Sequence, residues 1–150
     1  MKKSLALFAA LVLLAIPMWA AGKGTAQKSA REERMEKTET TRLGGLTPEE
    51  ALSYMKKTPN LVIVEVNTDY WKLKTGFIGA MHIPHDQMAA RYNEIPRGVP
   101  VILHCGAGVV SVPAYETLLK KRPDIPELSY IAGHPPVAEY NAWYRESHRQ

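Results

Sequence analysis

Cys105 is the only cysteine in the 150-residue sequence, so any thiol chemistry in the chain belongs to it. It follows His104 at the end of the aliphatic run Pro100-Val101-Ile102-Leu103 and leads into Gly106-Ala107-Gly108-Val109-Val110-Ser111. Small residues in such a loop let successive backbone N–H groups turn inward as an anion-binding nest. Pro113 then opens a helix, whose N-terminal partial charge favours a thiolate over a thiol. The pattern suits a nucleophile whose negative charge is held by backbone donors. A free cysteine is also among the most often buried residues, so an inert core thiol is the competing reading. With no second cysteine, neither an intramolecular disulfide nor a multi-cysteine metal site can form. The five histidines do not change this, since none has zinc-ligand spacing with the cysteine. No metal and no cofactor are expected.

The elements around this loop alternate between strand and helix. Thr47-Pro48-Glu49-Glu50 is a helix start, with a threonine N-cap, proline at the first position and glutamate completing a capping box. The helix runs through Ala51, Leu52, Tyr54 and Met55 to about Lys57. Leu61–Val66 and Pro100–His104 are aliphatic, β-branched runs of the kind found in buried parallel strands. Between them, one or two helical turns carry Tyr70 and Trp71. Ile78–Pro84 reads as a short strand ended by proline, and Asp86–Tyr92 as a short helix. Pro113–Leu119, Leu128–Ile131 and Val137–Arg145 complete the series as helix, strand and helix. Tyr140, Trp143 and Tyr144 have helical spacing and read as core. The expectation is an α/β domain with a central parallel sheet and helices on both faces. In such sheets ligands bind beyond the carboxyl ends of the strands, where Cys105 lies.

Three further segments have recognisable counterparts. Val64-Glu65-Val66-Asn67 ends one strand, Gly76-Phe77-Ile78-Gly79-Ala80 leads to Ile83-Pro84, and the loop Cys105–Ser111 is followed at a distance by Trp143. In order, spacing and loop length, residues 46–148 resemble a single rhodanese-like (sulfurtransferase) domain. The resemblance implies sulfur transfer: Cys105 would take sulfane sulfur from a donor such as a persulfide, polysulfide or thiosulfate, hold it as a persulfide, and pass it to a thiophilic acceptor. The amides of Gly106, Ala107, Gly108, Val109, Val110 and Ser111 would cradle the persulfide, and His134, in a loop that lies near the cysteine in this family, would be a proton donor or polar rim residue. The active loop diverges from the family. Its two arginines fall on Gly106 and Val110, an Asp-Val-Arg triplet has become Glu65-Val66-Asn67, and the histidine after Gly76 is Phe77. Without those cations, weak or no thiosulfate activity is expected, with neutral or apolar sulfur donors preferred. A catalytically silent binding or regulatory module is the alternative function. The loop also shares its logic with Cys-x5-Arg phosphatases, but the guanidinium that would hold a phosphoryl group is replaced by Ser111.

The N-terminus reads as an address. Lys2-Lys3, an apolar run from Leu5 to Ile16 and the small residues after Trp19 make residues 1–21 a bacterial-type signal peptide. The mature chain would be periplasmic or secreted, or tethered to the membrane if residues 1–21 are not cleaved. With cleavage, no stable membrane insertion is expected, because the apolar run is shorter than the ~20 residues a spanning helix needs. Residues 22–45 read as a polar, charged linker. The formal net charge of +4 resides in these segments, since residues 43–150 hold eleven basic and eleven acidic side chains. The domain is formally neutral, which argues against a nucleic-acid partner.

Overall fold

Val101-Ile102-Leu103-His104 is buried on both sides, and a strand with no exposed face belongs at the centre of a sheet covered by helices. The computed structural model, which describes residues 40–74 and 76–149, places it there. The strands are β1 (Thr41–Leu46), β2 (Val62–Glu65), β3 (Met81–His82), β4 (Val101–His104) and β5 (Glu127–Ile131). They form one sheet in the order β1-β5-β4-β2-β3, and every pairing is parallel. The helices are α1 (Pro48–Lys57), α2 (Met88–Arg91), α3 (Ser111–Lys121) and α4 (Val137–Ser147), with 3-10 turns at Asp69–Trp71 and Tyr92–Glu94. The described residues contain no helix long and apolar enough to cross a membrane.

The alternation of β4 splits the core into two. Val101, Leu103 and Cys105 join Val64, Ala114 and Leu118 beneath α2 and α3. Ile102 joins Ala51, Met55, Phe77 and Tyr140 beneath α1 and α4. The helices therefore cover both faces of the sheet. Each fully buried aliphatic side chain of this kind contributes about 1.5–3 kcal/mol relative to exposure. Tyr140 packs edge-on against Phe77 at 5.2 Å, and Trp143 and Tyr144 lie against the same cluster.

Helix α1 starts as its sequence requires. The Glu50 N–H donates to Thr47 Oγ1, and the Thr47 N–H donates to the Glu50 carboxylate. Helix α3 begins at Ser111, two residues before the proline expected to open it; Pro113 fits in the first turn, where its missing N–H has no partner to lose. The strand expected over Ile78–Pro84 is shortened to two residues. Gly79, at φ +79°, turns the chain, and the Ile78 N–H is taken by Asn141 Oδ1 at 2.8 Å rather than by a neighbouring strand.

The folded unit also begins earlier than expected. Residues 41–45, assigned from sequence to the linker, form most of β1 and pair with β5. Their polar and glycine-rich composition hides this role. Gly44 sits at φ +70° where the register shifts, and a Cβ on Gly45 would come within 2.8 Å of the Tyr130 ring. The strand is specified by its partner rather than by its own hydrophobicity. The expected signal peptide and nearly all of the remaining linker fall outside the described residues.

Arg122, at the end of α3, is only 2% exposed. It donates to Asp124 through two nitrogens, at 2.7 and 2.8 Å, and to the carbonyls of Tyr92, Ile95 and Pro96 at 2.7, 2.9 and 2.9 Å. Arg122→Met would leave four acceptors without their donor, and denaturant titration should show a loss of about 3 kcal/mol with an unchanged m-value.

Candidate active site

The C-terminal ends of β2, β3 and β4 converge on one cleft of about 420 Å³. Cys105 lies at the end of β4. Asn67 and Thr68 follow β2, and His85 follows β3. The loop residues Gly106, Ala107, Val109 and Val110 form one wall, Trp71 and Leu73 another, and His134 reaches in from the loop after β5. Among the described residues, none that lines the cleft is lysine or arginine. Of the site residues expected from the sequence, Cys105, Gly106, Ala107, Val109, Val110 and His134 line the cleft, while Gly108 and Ser111 are buried behind it.

Cys105 is 2% exposed, and its Sγ accepts a hydrogen bond from the Gly108 N–H at 3.1 Å. Burial pushes the thiol up. The Ser111 hydroxyl and the N–H groups of Ala107, Ser111 and Val110 outweigh it and hold the thiol below its ordinary value. Ser111 Oγ is buried and makes no complete hydrogen bond in this conformation, so it acts on the sulfur as a nearby dipole. The thiolate is thus favoured by neutral donors alone, as expected for a nest at the start of an 11-residue helix.

Gly108 makes this geometry possible. It sits at φ +84°, and a Cβ there would lie 2.7 Å from the Gly133 nitrogen and 3.0 Å from the Ile131 carbonyl. The loop can fold against the end of β5 only without a side chain at this position.

A buried polar chain supports the loop from below. Glu65, 4% exposed, accepts from Asn67 Nδ2 at 3.2 Å and from the Leu73 N–H at 2.7 Å. Asn67 Oδ1 in turn accepts from the Gly106 N–H at 3.4 Å, and the Asn67 carbonyl is 2.8 Å from His82 Nε2. Glu65 and Asn67 therefore brace the loop and the Leu73 wall as a neutral-donor relay. Phe77 packs edge-on against His104 at 4.7 Å, on the opposite side of the sheet from the cleft. His104 is fully buried, has no hydrogen-bond partner on either ring nitrogen, and is lowered by that burial to about 4.

Sequence reasoning did not select Asn67, Thr68, Trp71, Leu73 or His85 as site residues. The strand-end rule applied to β2 and β3 as well as to β4 would have found Asn67, Thr68 and His85. Trp71 and Leu73 come from an irregular segment with no periodic signal.

Solved structures match this arrangement of sheet and helices. A rhodanese-related protein from Thermoplasma volcanium matches with a TM-score of 0.50 at 13% identity, covering 70% of this chain and 94% of its own. A rhodanese-like domain protein from Staphylococcus aureus matches with a TM-score of 0.52 at 22% identity, covering 61% and 87%. The chain has the rhodanese-like fold. A protein from Staphylococcus saprophyticus subsp. saprophyticus matches with a TM-score of 0.53 at 19% identity, covering 65% and 93%. No family model matches the sequence, and no curated protein does. The rhodanese-like fold places the loop between β4 and α3 at the carboxyl end of the sheet, here with Cys105 as its first residue.

Two outcomes follow from the site. Gly108→Ala would pull the loop from β5 and remove one N–H from the sulfur, a loss of about 1 kcal/mol. Alkylation of Cys105 by iodoacetamide at pH 7 should then slow by about fivefold, with its pH midpoint moving upward. His104 binds a proton in the unfolded chain below pH ~6.5 but in the folded chain only below about 4. Its folded value is depressed and the group is a base, so stability is complete above the unfolded value and falls with pH between about 6.5 and 4. Denaturant titrations at pH 7 and pH 5 should differ by about 2 kcal/mol from this residue, a difference that His104→Leu removes.

Proposed function

We propose that this chain is a sulfurtransferase that carries sulfane sulfur as a persulfide on Cys105. The observation that carries this reading is a thiol that accepts an amide hydrogen bond at the base of a cleft lined, among the described residues, by no lysine or arginine. In the first half-reaction the Cys105 thiolate attacks the terminal sulfur of a donor R–S–SH. A new S–S bond forms on Sγ, the R–S bond to that sulfur breaks, and R–S leaves with the electron pair. In the second half-reaction a thiophilic acceptor takes the outer sulfur and returns the thiolate. One cysteine suffices for both steps. The inward amides of the loop supply the donors that a persulfide anion needs.

The chemistry of the walls supports a donor class. Thiosulfate is a dianion and would meet backbone donors but no guanidinium or ammonium group. Trp71, Leu73, Val109 and Val110 instead offer apolar contact to the R group of a neutral persulfide or polysulfide. With the signal peptide expected at residues 1–21, the site of action would be the periplasm or the cell exterior.

A second reading has an observation in its favour. Cys105 is only 2% exposed while Trp71 and Val109 at the cleft mouth are 70% and 74% exposed, as suits a silent module that binds a partner through the mouth. Mass spectrometry of the purified chain separates the two. After incubation with an alkyl persulfide, Cys105 should carry one additional sulfur atom, and Cys105→Ser should carry none. Thiosulfate should load the wild-type protein at least tenfold more slowly. A thiol that stays unmodified by every donor favours the binding module.

A further inference from the structure

Among the described residues, the cleft is lined by two titratable side chains besides Cys105, and both are histidines: His85 and His134. Their settings differ. His134 is exposed on the loop after β5. His85 is half-buried and anchored by the sheet. Beyond β3 the ladder continues through the Ile83 N–H to the Glu65 carbonyl at 3.0 Å and the His85 N–H to the Val66 carbonyl at 2.9 Å. On the other side of β2, the Val66 N–H donates to the His104 carbonyl at 2.9 Å. In this register His82, Glu65 and His104 stand abreast, so Val66 lies beside Cys105 and His85 is tied to the other side of Val66. His85 and Cys105 are two strand spacings apart, roughly 10 Å at the backbone. Both residues line the cleft.

His85 Nδ1 is buried without a hydrogen-bond partner. No side-chain hydrogen bond among the described residues decides which nitrogen of the ring carries the proton. Such an imidazole is a poor structural element and a good proton carrier.

We propose that His85 is the acid–base residue of sulfur loading and that it fits the site to uncharged donors. This inference rests on the sulfur-transfer reading. With a neutral donor the net step is Cys105–SH plus R–S–SH giving Cys105–S–SH plus R–SH. The imidazole takes the thiol proton, and the thiolate forms its bond to the terminal sulfur of the donor. The R–S bond to that sulfur breaks with its electron pair on R–S, and the imidazolium returns the proton to it. Nothing is oxidised or reduced overall, and no charge leaves or enters the cleft. A site with no guanidinium to hold an anionic leaving group is served by a group that neutralises it instead.

The test uses benzyl persulfide as donor and follows sulfur gain on Cys105 by mass spectrometry. General acid–base assistance is worth about 10²–10⁴-fold, so His85→Gln should load about 100-fold more slowly. His85→Ala should recover at least tenfold of its lost rate when free imidazole is added, a rescue that loss of a merely structural side chain would not show. His134→Gln should lose less than His85→Gln. Loading of His85→Gln within threefold of wild type overturns the proposal. So does a folded His85→Ala protein that imidazole does not rescue, or a larger loss in His134→Gln. A wild-type chain that takes no sulfur overturns the sulfur-transfer reading itself, and the two failures are thereby distinct.

Discussion

Everything at this site depends on how closely the loop after β4 lies against the end of β5. The chain must leave a central strand, reverse, and enter α3 within the span from Cys105 to Ser111. It does so by seating Gly108 where the backbone of Gly133 leaves no space for a Cβ. That contact aims the Gly108 N–H at the sulfur and brings the Ala107, Val110 and Ser111 amides within range of it. A residue with a side chain would open the loop, and the donors would scatter. Backbone packing therefore sets the electrostatics of the thiol, with no charged side chain on the cleft wall.

The same neutrality extends beneath the loop. A buried carboxyl at Glu65 is met by an amide side chain and a backbone N–H rather than by a guanidinium. Amide donors have fixed directions and make a rigid brace, but they contribute little long-range field. The cleft thus keeps its shape while losing the potential that would draw anions to it. A large field would raise the local concentration of charged ligands; the described walls present apolar side chains and two imidazoles instead.

Most of the fold was legible because the strands that matter are buried on both faces. Val62–Glu65 and Val101–His104 are continuous aliphatic runs, and Thr47–Glu50 carries its cap in its own side chains. The position of Cys105 was legible for the same reason, since a cysteine at the end of such a run must lie at the carboxyl edge of the sheet. Other features were not legible, for physical reasons. β1 owes its conformation to β5 and contains the glycines that a strand pattern disfavours. Trp71 and Leu73 reach the cleft because Glu65 captures the Leu73 N–H across eight residues, a tertiary bond with no local signature. His85 is part of the site because of hydrogen bonds that prolong a two-residue strand, and nothing in its neighbours' composition announces them.

The position of β1 also governs the order in which this domain can be completed. Among the described residues it is the first strand, yet it pairs only with the last, and Thr40 reaches the Pro123 carbonyl across 83 residues. Parallel pairing at that separation carries a large loop-closure cost and forms slowly. As the chain is synthesised, residues 41–46 have nothing to pair with until Glu127–Ile131 exists. Strands β2, β3 and β4 can associate earlier, leaving the leading segment unpaired. Closure of the sheet is then a late event, so losing either Thr41–Leu46 or Glu127–Ile131 abolishes the same strand pairing.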